Sequence, residues 1–217
     1  MTSQPPSSAE NDLEAESTRL LLDVIETRGQ VTQRSLAGEL GIALGLTNIY
    51  LKRCITKGLI KVRKAPARRY AYYVTAKGFT EKARLTAKYL ARSLSFFRLA
   101  REDCSDLFRA CEARGVGRVV LVGAGDLCEI AALAALDSGV EVAAVFDQET
   151  NRQQVAGLRV VRDPAALAGV DAVVITDMRD PQGAYERMAA ALGDDKVLFP
   201  SLLRLSTCRR PDVAAAQ

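Results

Sequence analysis

The chain has 217 residues, 48% hydrophobic and 26% charged, with 30 Lys+Arg against 26 Asp+Glu, enough for one large domain or two small ones. It contains no histidine, which excludes Ser-His-Asp and Cys-His catalysis and removes the commonest general acid or base. Its five cysteines (Cys54, Cys104, Cys111, Cys128 and Cys208) form no C-x-x-C pair, so free buried thiols are expected rather than a disulfide framework or a zinc site.

At the N-terminus, MTSQPPSSAENDLEAES has neither a basic n-region nor an apolar h-region, and no run of 18 apolar residues follows. A cytoplasmic protein with no membrane partner is therefore expected, and residues 1–16 read as a disordered leader. In STRLLLDVIETRG, residues 17–29, Leu20, Leu21, Val24 and Ile25 recur at helical spacing, and Gly29 is a plausible stop.

Next, VTQRSLAGELGIALGLTNIYLKRCITKGLI reads as a helix from about Thr32 to Leu40, a turn at Gly41, and a second helix from about Leu44 to Lys57. That pattern is a helix-turn-helix. Leu36, Leu40, Ile42, Ile49, Cys54, Ile55 and Leu59 are expected to form its core, leaving Thr47, Asn48, Lys52 and Arg53 toward a groove. Two strand-like runs, LIKVRK and RRYAYYVT, joined by APA, then make a β-hairpin wing. Lys61, Arg63, Lys64, Arg68 and Arg69 on it are candidates for phosphate contacts. Charge supports this reading: residues 1–117 carry 20 Lys+Arg against 12 Asp+Glu, net +8, and Leu40 to Thr80 holds nine basic residues and no acidic one. Residues 118–217 carry 10 against 14, net −4, so one half is expected to face a polyanion while the other does something else.

The run VTQRSLAGELGIALGLTNIYLKRCITKGLIKV together with YAYYVTAKGFTEKARLTAKYL resembles the MarR-type winged-helix regulators associated with exopolysaccharide gene clusters, over about residues 16–95. The resemblance implies a dimeric transcriptional regulator that binds double-stranded DNA and acts on genes such as those for polysaccharide biosynthesis. That family ends soon after its long helix, whereas this chain continues for about another hundred residues.

The winged helix is assigned to residues 17–79 and a linker or dimerisation helix to residues 80–115. In the latter, Leu90, Phe97, Cys104 and Cys111 fall seven apart, with Leu94 and Phe108 as companions. Such a seam packs either a second copy of the helix or the chain's own domains. Cys104 and Cys111 are a conceivable redox pair across a dimer, although small apolar filling is the commoner role for cytoplasmic thiols.

Residues 116–205 read as a small Rossmann-like domain with a parallel sheet, followed by a tail at 206–217. GRVVLVGAGDLCEIAALAALDSGVEVAAVFD gives strand, glycine turn, helix, strand and a terminal acid. Gly123 and Gly125 fit the first two glycines of G-x-G-x-x-G, Cys128 replaces the third, and Asp147 lies 22 positions after Gly125. In this pattern backbone N–H groups near Asp126 and Leu127 meet a phosphate and Asp147 accepts from ribose hydroxyls. Asp126 opposes it by placing negative charge in the turn. Further strands at GLRVV, VDAVVITD and KVLF, and helical segments at DPAALAG and DPQGAYERMAAALG, complete an α/β alternation. Thr176, Asp177 and Arg179, beyond the VVI strand, are the next ligand candidates, with Arg179 able to pair a phosphate.

This half resembles the N-terminal domain of PglD-type sugar acetyltransferases and the sensor domain of the redox repressor Rex, over about residues 117–203. The resemblance implies a nucleotide effector, NAD(H) or a sugar nucleotide. Three functions follow: a regulator with a nucleotide-sensing domain, a regulator whose second domain is a ligand-free dimerisation or docking scaffold, and a small oxidoreductase or sugar-modifying enzyme. The enzyme reading lacks chain for a substrate domain and would leave acid/base work to Tyr185 or Asp177, so a non-enzymic protein is expected.

Overall fold

The computed structural model describes residues 8–28, 31–65 and 69–206. The chain divides into two compact units, Met1–Ser93 and Leu94–Gln217.

The first unit opens with α1, Ser8–Arg28. Residues 8–16, expected to be disordered, are helical because they continue the helix whose Leu21, Leu22 and Ile25 are fully buried. Helix α2 spans Gln33–Leu40 and α3 spans Leu44–Thr56. Thr32 and Ser35 cap α2 reciprocally: each side-chain oxygen accepts the other residue's backbone N–H. Gly41 ends α2 at φ +63°, the left-handed conformation that lets the chain reverse into α3. Strands β1, Ile60–Ala65, and β2, Arg69–Val74, form the antiparallel hairpin, with Ile60 opposite Val74 and Lys61 opposite Tyr73. Leu36, Leu51, Cys54, Leu59, Ile60 and Tyr72 share one core with α1. Ile49, expected in that core, is 49% exposed. The buried face of α3 is Thr47, Tyr50, Leu51 and Cys54, an i, i+3, i+4, i+7 set that excludes position 49.

A 38-residue helix, α4, runs from Ala76 to Ala113. It starts four residues earlier than expected and carries Gly78 in its first turn. Thr75 closes that turn, its Oγ1 accepting from the Gly78 N–H at 3.0 Å and donating to the Gly58 carbonyl at 2.7 Å. In the same unit Lys82 pairs with Asp23 at 2.6 Å and Glu26 at 2.5 Å, bracing α4 against α1.

The expected apolar stripe of α4 divides. Cys104, Phe108 and Cys111 belong to the core of the second unit, together with Ala100, whereas Leu90, Leu94 and Phe97 are exposed. The sheet of that unit has β3 (Arg118–Val122) at its centre. Around it lie β4 (Glu141–Phe146), β5 (Gln154–Val155), β6 (Leu158–Val161), β7 (Ala172–Ile175) and β8 (Val197–Leu198) in the order β5-β6-β4-β3-β7-β8. All pairs are parallel except β5 with β6. The antiparallel edge is an addition to the parallel sheet expected from the alternation.

Both faces are covered. Val119 and Leu121 pack with α4 and with α5, Asp126–Ala135, while Val120 and Val122 pack with α6, Pro181–Leu192. Alternation along one strand thus supplies both cores.

Gly78 is required by contact: a methyl group there would overlap the Leu59 carbonyl oxygen and approach Val74 Cγ1 at 2.8 Å. Alanine is favoured over glycine in a helix interior by about 1 kcal/mol, yet Gly78→Ala is expected to destabilise the first unit by about 1–3 kcal/mol through overpacking. Amide exchange in β1 and the first turns of α4 measures it.

Candidate functional site

Helix α3 presents Gly45, Ile49, Lys52 and Thr56 outward, at i, i+4, i+7 and i+11 opposite its buried face. Of the four residues expected to face a groove, Lys52 and Arg53 are exposed. Arg53 is engaged, its Nη1 donating to Glu14 of α1 at 2.7 Å. Asn48 is half-buried, and its Oδ1 accepts no hydrogen bond among the described residues. Thr47 is a correction: it is fully buried, and its hydroxyl donates to the Ala43 carbonyl at 3.2 Å. Its β-branched methyl suits the core side of α3, and the i−4 carbonyl satisfies its oxygen, so it offers nothing to a partner.

On the hairpin, Lys61 and Arg63 are exposed. Their cross-strand neighbourhood adds Tyr73, which sequence reasoning did not single out: it is exposed, and the Arg63 guanidinium lies 5.8 Å from its ring centroid. Period-two alternation puts Lys61, Arg63 and Tyr73 on one face. Lys64 and Arg69 take their places in the strand register, but their side chains, and Arg68 altogether, lie outside the described residues.

In the second unit, the order of the parallel strands puts the topological switch point between β3 and β7, where ligands of doubly wound sheets bind. The glycine turn after β3 lies there. Gly123 has φ +103°, and a Cβ on it would come within 2.6 Å of the Asp177 backbone, so this glycine serves the closure of β7 onto the turn. Among the described residues a Cβ on Gly125 would meet nothing within 4 Å, which leaves open space beside the start of α5. Asp126 is exposed at that start, and Leu127 offers only its backbone because its side chain is fully buried.

Asp147, expected to hold ribose hydroxyls, is already occupied. Its Oδ2 accepts from the Ala124 N–H at 2.9 Å and from Arg179 Nη2 at 3.0 Å. Its Oδ1 accepts from the N–H groups of Glu149 and Thr150 at 2.9 and 3.1 Å. The terminal acid of β4 therefore pins the glycine turn to the sheet. Thr176 is likewise structural: it is fully buried and donates to the carbonyls of Val122 and Gly123 at 3.0 and 2.9 Å. Arg179 is the predicted side chain beyond β7 that remains accessible. Its side chain is 54% exposed and reaches Asp147, Asp177 at 3.1 Å and Glu149 at 3.2 Å.

Burial raises the carboxyl pKa of Asp147, but N–H donation from Ala124, Glu149 and Thr150 and the charge of Arg179 outweigh it and leave the net value below the ordinary range. Asp177 is also lowered: burial again opposes, and hydrogen bonds from Arg179 prevail. Arg179 is raised in turn, chiefly by its hydrogen bond to Asp177. Thiol chemistry is suppressed by burial, which pushes Cys54 and Cys111 up to about 11 and Cys104 and Cys128 up to about 12. Cys104 and Cys111 both face the core of the second unit, where burial favours the protonated thiol; Cys208 lies outside the described residues. Tyr185 is buried, donates to Asp194 and packs edge-to-face on Phe199 at 5.6 Å.

Residues 15–61 match the family model described as winged helix-turn-helix DNA-binding. No curated protein matches the chain. Among solved structures, the chain is similar to the PcaV transcriptional regulator from Streptomyces coelicolor, at 18% identity over 38% of this chain and 62% of that one, with TM-score 0.36. A MarR family transcription regulator is similar at 21% identity over 41% of this chain and 64% of its own, TM-score 0.36. The chain thus spans less than two thirds of either regulator. Human N-acetylserotonin methyltransferase is similar at 15% identity over 81% of this chain and 72% of its own, TM-score 0.26. Likenesses of this strength assign no activity to either unit.

Lowered carboxyl values stabilise the fold above the ordinary carboxylate value of 3.8, and that contribution is lost as the pH falls through the lowered values. Protection of the Ala124, Glu149 and Thr150 amides is expected to fall below about pH 3.8 in the wild type. Asp147→Asn is expected to start about 1.5–3 kcal/mol less stable, the worth of hydrogen bonds to a charged group, and to lack most of that acid dependence. Amide exchange across the pH series measures both.

Proposed function

We propose that the chain is a DNA-binding transcriptional regulator that acts by binding rather than catalysis, with a MarR-type winged helix as its DNA-contacting part. The observation that carries this reading is the outward surface of the helix-turn-helix. Lys52, Lys61 and Arg63 are exposed on a segment that holds no acidic residue from Leu40 to Thr80, within a region matching a DNA-binding family model. Such a surface neutralises phosphates and positions a helix against a groove. The resemblance of residues 16–95 to exopolysaccharide-associated regulators supports polysaccharide biosynthesis genes as targets. Exposed Leu90, Leu94 and Phe97 on α4 support a homodimer, with those side chains covered by a second copy.

The second unit is assigned a sensing role for a nucleotide such as NAD(H) or a sugar nucleotide. Gly125 supports it, because internal packing leaves open space where its Cβ would stand, and so does Arg179, an exposed cation beside the turn. The ligand contacts in this reading are the N–H groups of Gly125 and Asp126 with Arg179, and Asp147 is an anchor instead of a ribose acceptor. A specific observation favours a second reading, a ligand-free scaffold: the Asp147 carboxylate is satisfied by the protein's own donors.

Two measurements test these assignments. Lys61→Ala and Arg63→Ala are expected to weaken binding to all duplexes, each flattening the log–log salt slope by roughly 0.9, with two chains bound per palindromic duplex. Thermal stability titrated with NADH, NAD, a UDP-sugar and coenzyme A is expected to rise by about 2.7 kcal/mol at 100 times the dissociation constant of the ligand that fits, and Gly125→Val is expected to abolish the rise. No shift with any of the four selects the scaffold.

A further inference from the structure

We infer that the winged helix reads its duplex through thymine methyl groups, with Ile49 as the residue that touches them. The inference rests on the DNA-binding reading and deepens it to a class of base contact.

The argument starts from what α3 has available. Hydrogen-bonded readout in the major groove uses Arg or Lys on guanine, Asn or Gln on adenine, and Asp or Glu on cytosine. From Gly41 to Leu51 the sequence contains no Arg, Lys, Gln, Asp or Glu. Asn48 is the one amide in that stretch, and its Oδ1 is buried, which spoils the two-pronged geometry that adenine requires. Thr47 faces the core. Of the basic pair that follows, Arg53 is held by Glu14 at 2.7 Å. Lys52 is left as a single point charge one turn beyond Ile49 on the same face.

The leading half of the helix is instead apolar on its outer side. Ile49 is 49% exposed, and Leu46, one turn before it, is exposed beside it. Gly45, one turn before Ile49 on the same stripe, has nothing among the described residues within 4 Å of where a Cβ would stand. Gly45 is the second residue of α3, and no contact among the described residues requires a glycine there. A bare backbone at that place lets the helix approach a surface closely.

Charge decides the occupant. This apolar strip shares its helix face with Lys52, and exposed Lys61 and Arg63 follow on β1, all in a segment without a single acidic side chain. That surround complements a polyanion and opposes a like-charged copy of the same face. The one apolar group on major-groove base edges is the C5-methyl of thymine.

The probe is a pool of short duplexes randomised at their central positions, from which the wild-type protein recovers binders at low salt. Recovered duplexes are expected to share thymines at fixed positions. Replacing those thymines with deoxyuridine removes only the methyl and is expected to weaken wild-type binding about fourfold per methyl, the worth of one buried methyl-sized group. Ile49→Ala, at an exposed position, is expected to bind the thymine duplex more weakly and to bind thymine and deoxyuridine duplexes alike. Equal wild-type affinity for the two duplexes overturns the inference and leaves the DNA-binding reading standing. An Ile49→Ala variant that still discriminates them, yet sediments as a smaller species, shows that a protein covers this face and overturns it too. Binding to no duplex in the pool overturns the DNA-binding reading and this inference together.

Discussion

A side chain on a helix faces its own core or a partner, and the period of 3.6 residues decides which. Most of what this chain presents to its surroundings follows from that allocation. On α3 it sends Thr47, Tyr50, Leu51 and Cys54 inward and leaves Gly45, Ile49 and Lys52 outside. On α4 it buries Ala100, Cys104 and Phe108 under the second unit's sheet and leaves Leu90, Leu94 and Phe97 uncovered. Neither allocation follows residue polarity. A threonine is among the most buried residues of the helix-turn-helix, and an isoleucine is among its most exposed, because position outranks hydropathy once a helix is fixed by its neighbours.

Element existence was legible in the sequence because each element carries its own local signal. Gly41 between two apolar periods marks the reversal into α3, and the first two glycines after RVVLV mark the turn beyond β3. The side each residue faces was less legible. Ile49 and Thr47 exchange their expected roles because a period judged from apolar residues alone counts isoleucine and skips threonine, whose methyl packs as well as valine's once its hydroxyl bonds the Ala43 carbonyl. Least legible were contacts between distant residues. Glu14 engages Arg53 across 39 positions, from a stretch whose composition read as disordered. Gly78 lies in the first turn of α4 because the Leu59 backbone presses against it, a requirement that no local pattern encodes.

The same distinction separates the two glycines of the nucleotide-type turn. In a ligand-binding motif both serve the ligand, one by permitting the turn and one by permitting close approach. Here Gly123 is accounted for by its backbone conformation and by Asp177, so its presence carries no information about a ligand. Gly125 has no such internal reason and therefore carries the motif's remaining weight. Asp147 moves the other way: it occupies the expected position at the end of β4, but its four donors all come from the protein.

Arg179 is where a structural role and the proposed binding role meet. A guanidinium shared by Asp147, Asp177 and Glu149 compensates carboxylates that would otherwise repel one another at the ends of β4 and β7. Both buried carboxylates accept backbone N–H groups, but only Asp147 is lowered mainly by them, whereas Asp177 owes its lowered value first to the arginine side chain. The arginine itself is more than half exposed, and a phosphate offers it the same bidentate geometry as a carboxylate. Moving from one anion to another exchanges like interactions, and its net cost is set by the two buried carboxylates left behind. A ligand phosphate that approaches Gly125 while Arg179 keeps contact with Asp177 avoids that cost, since one guanidinium has donors enough for both. A ligand seated there, as proposed, would add to the carboxylate network without dismantling it, with the glycine turn that Asp147 pins as a fixed floor beneath it.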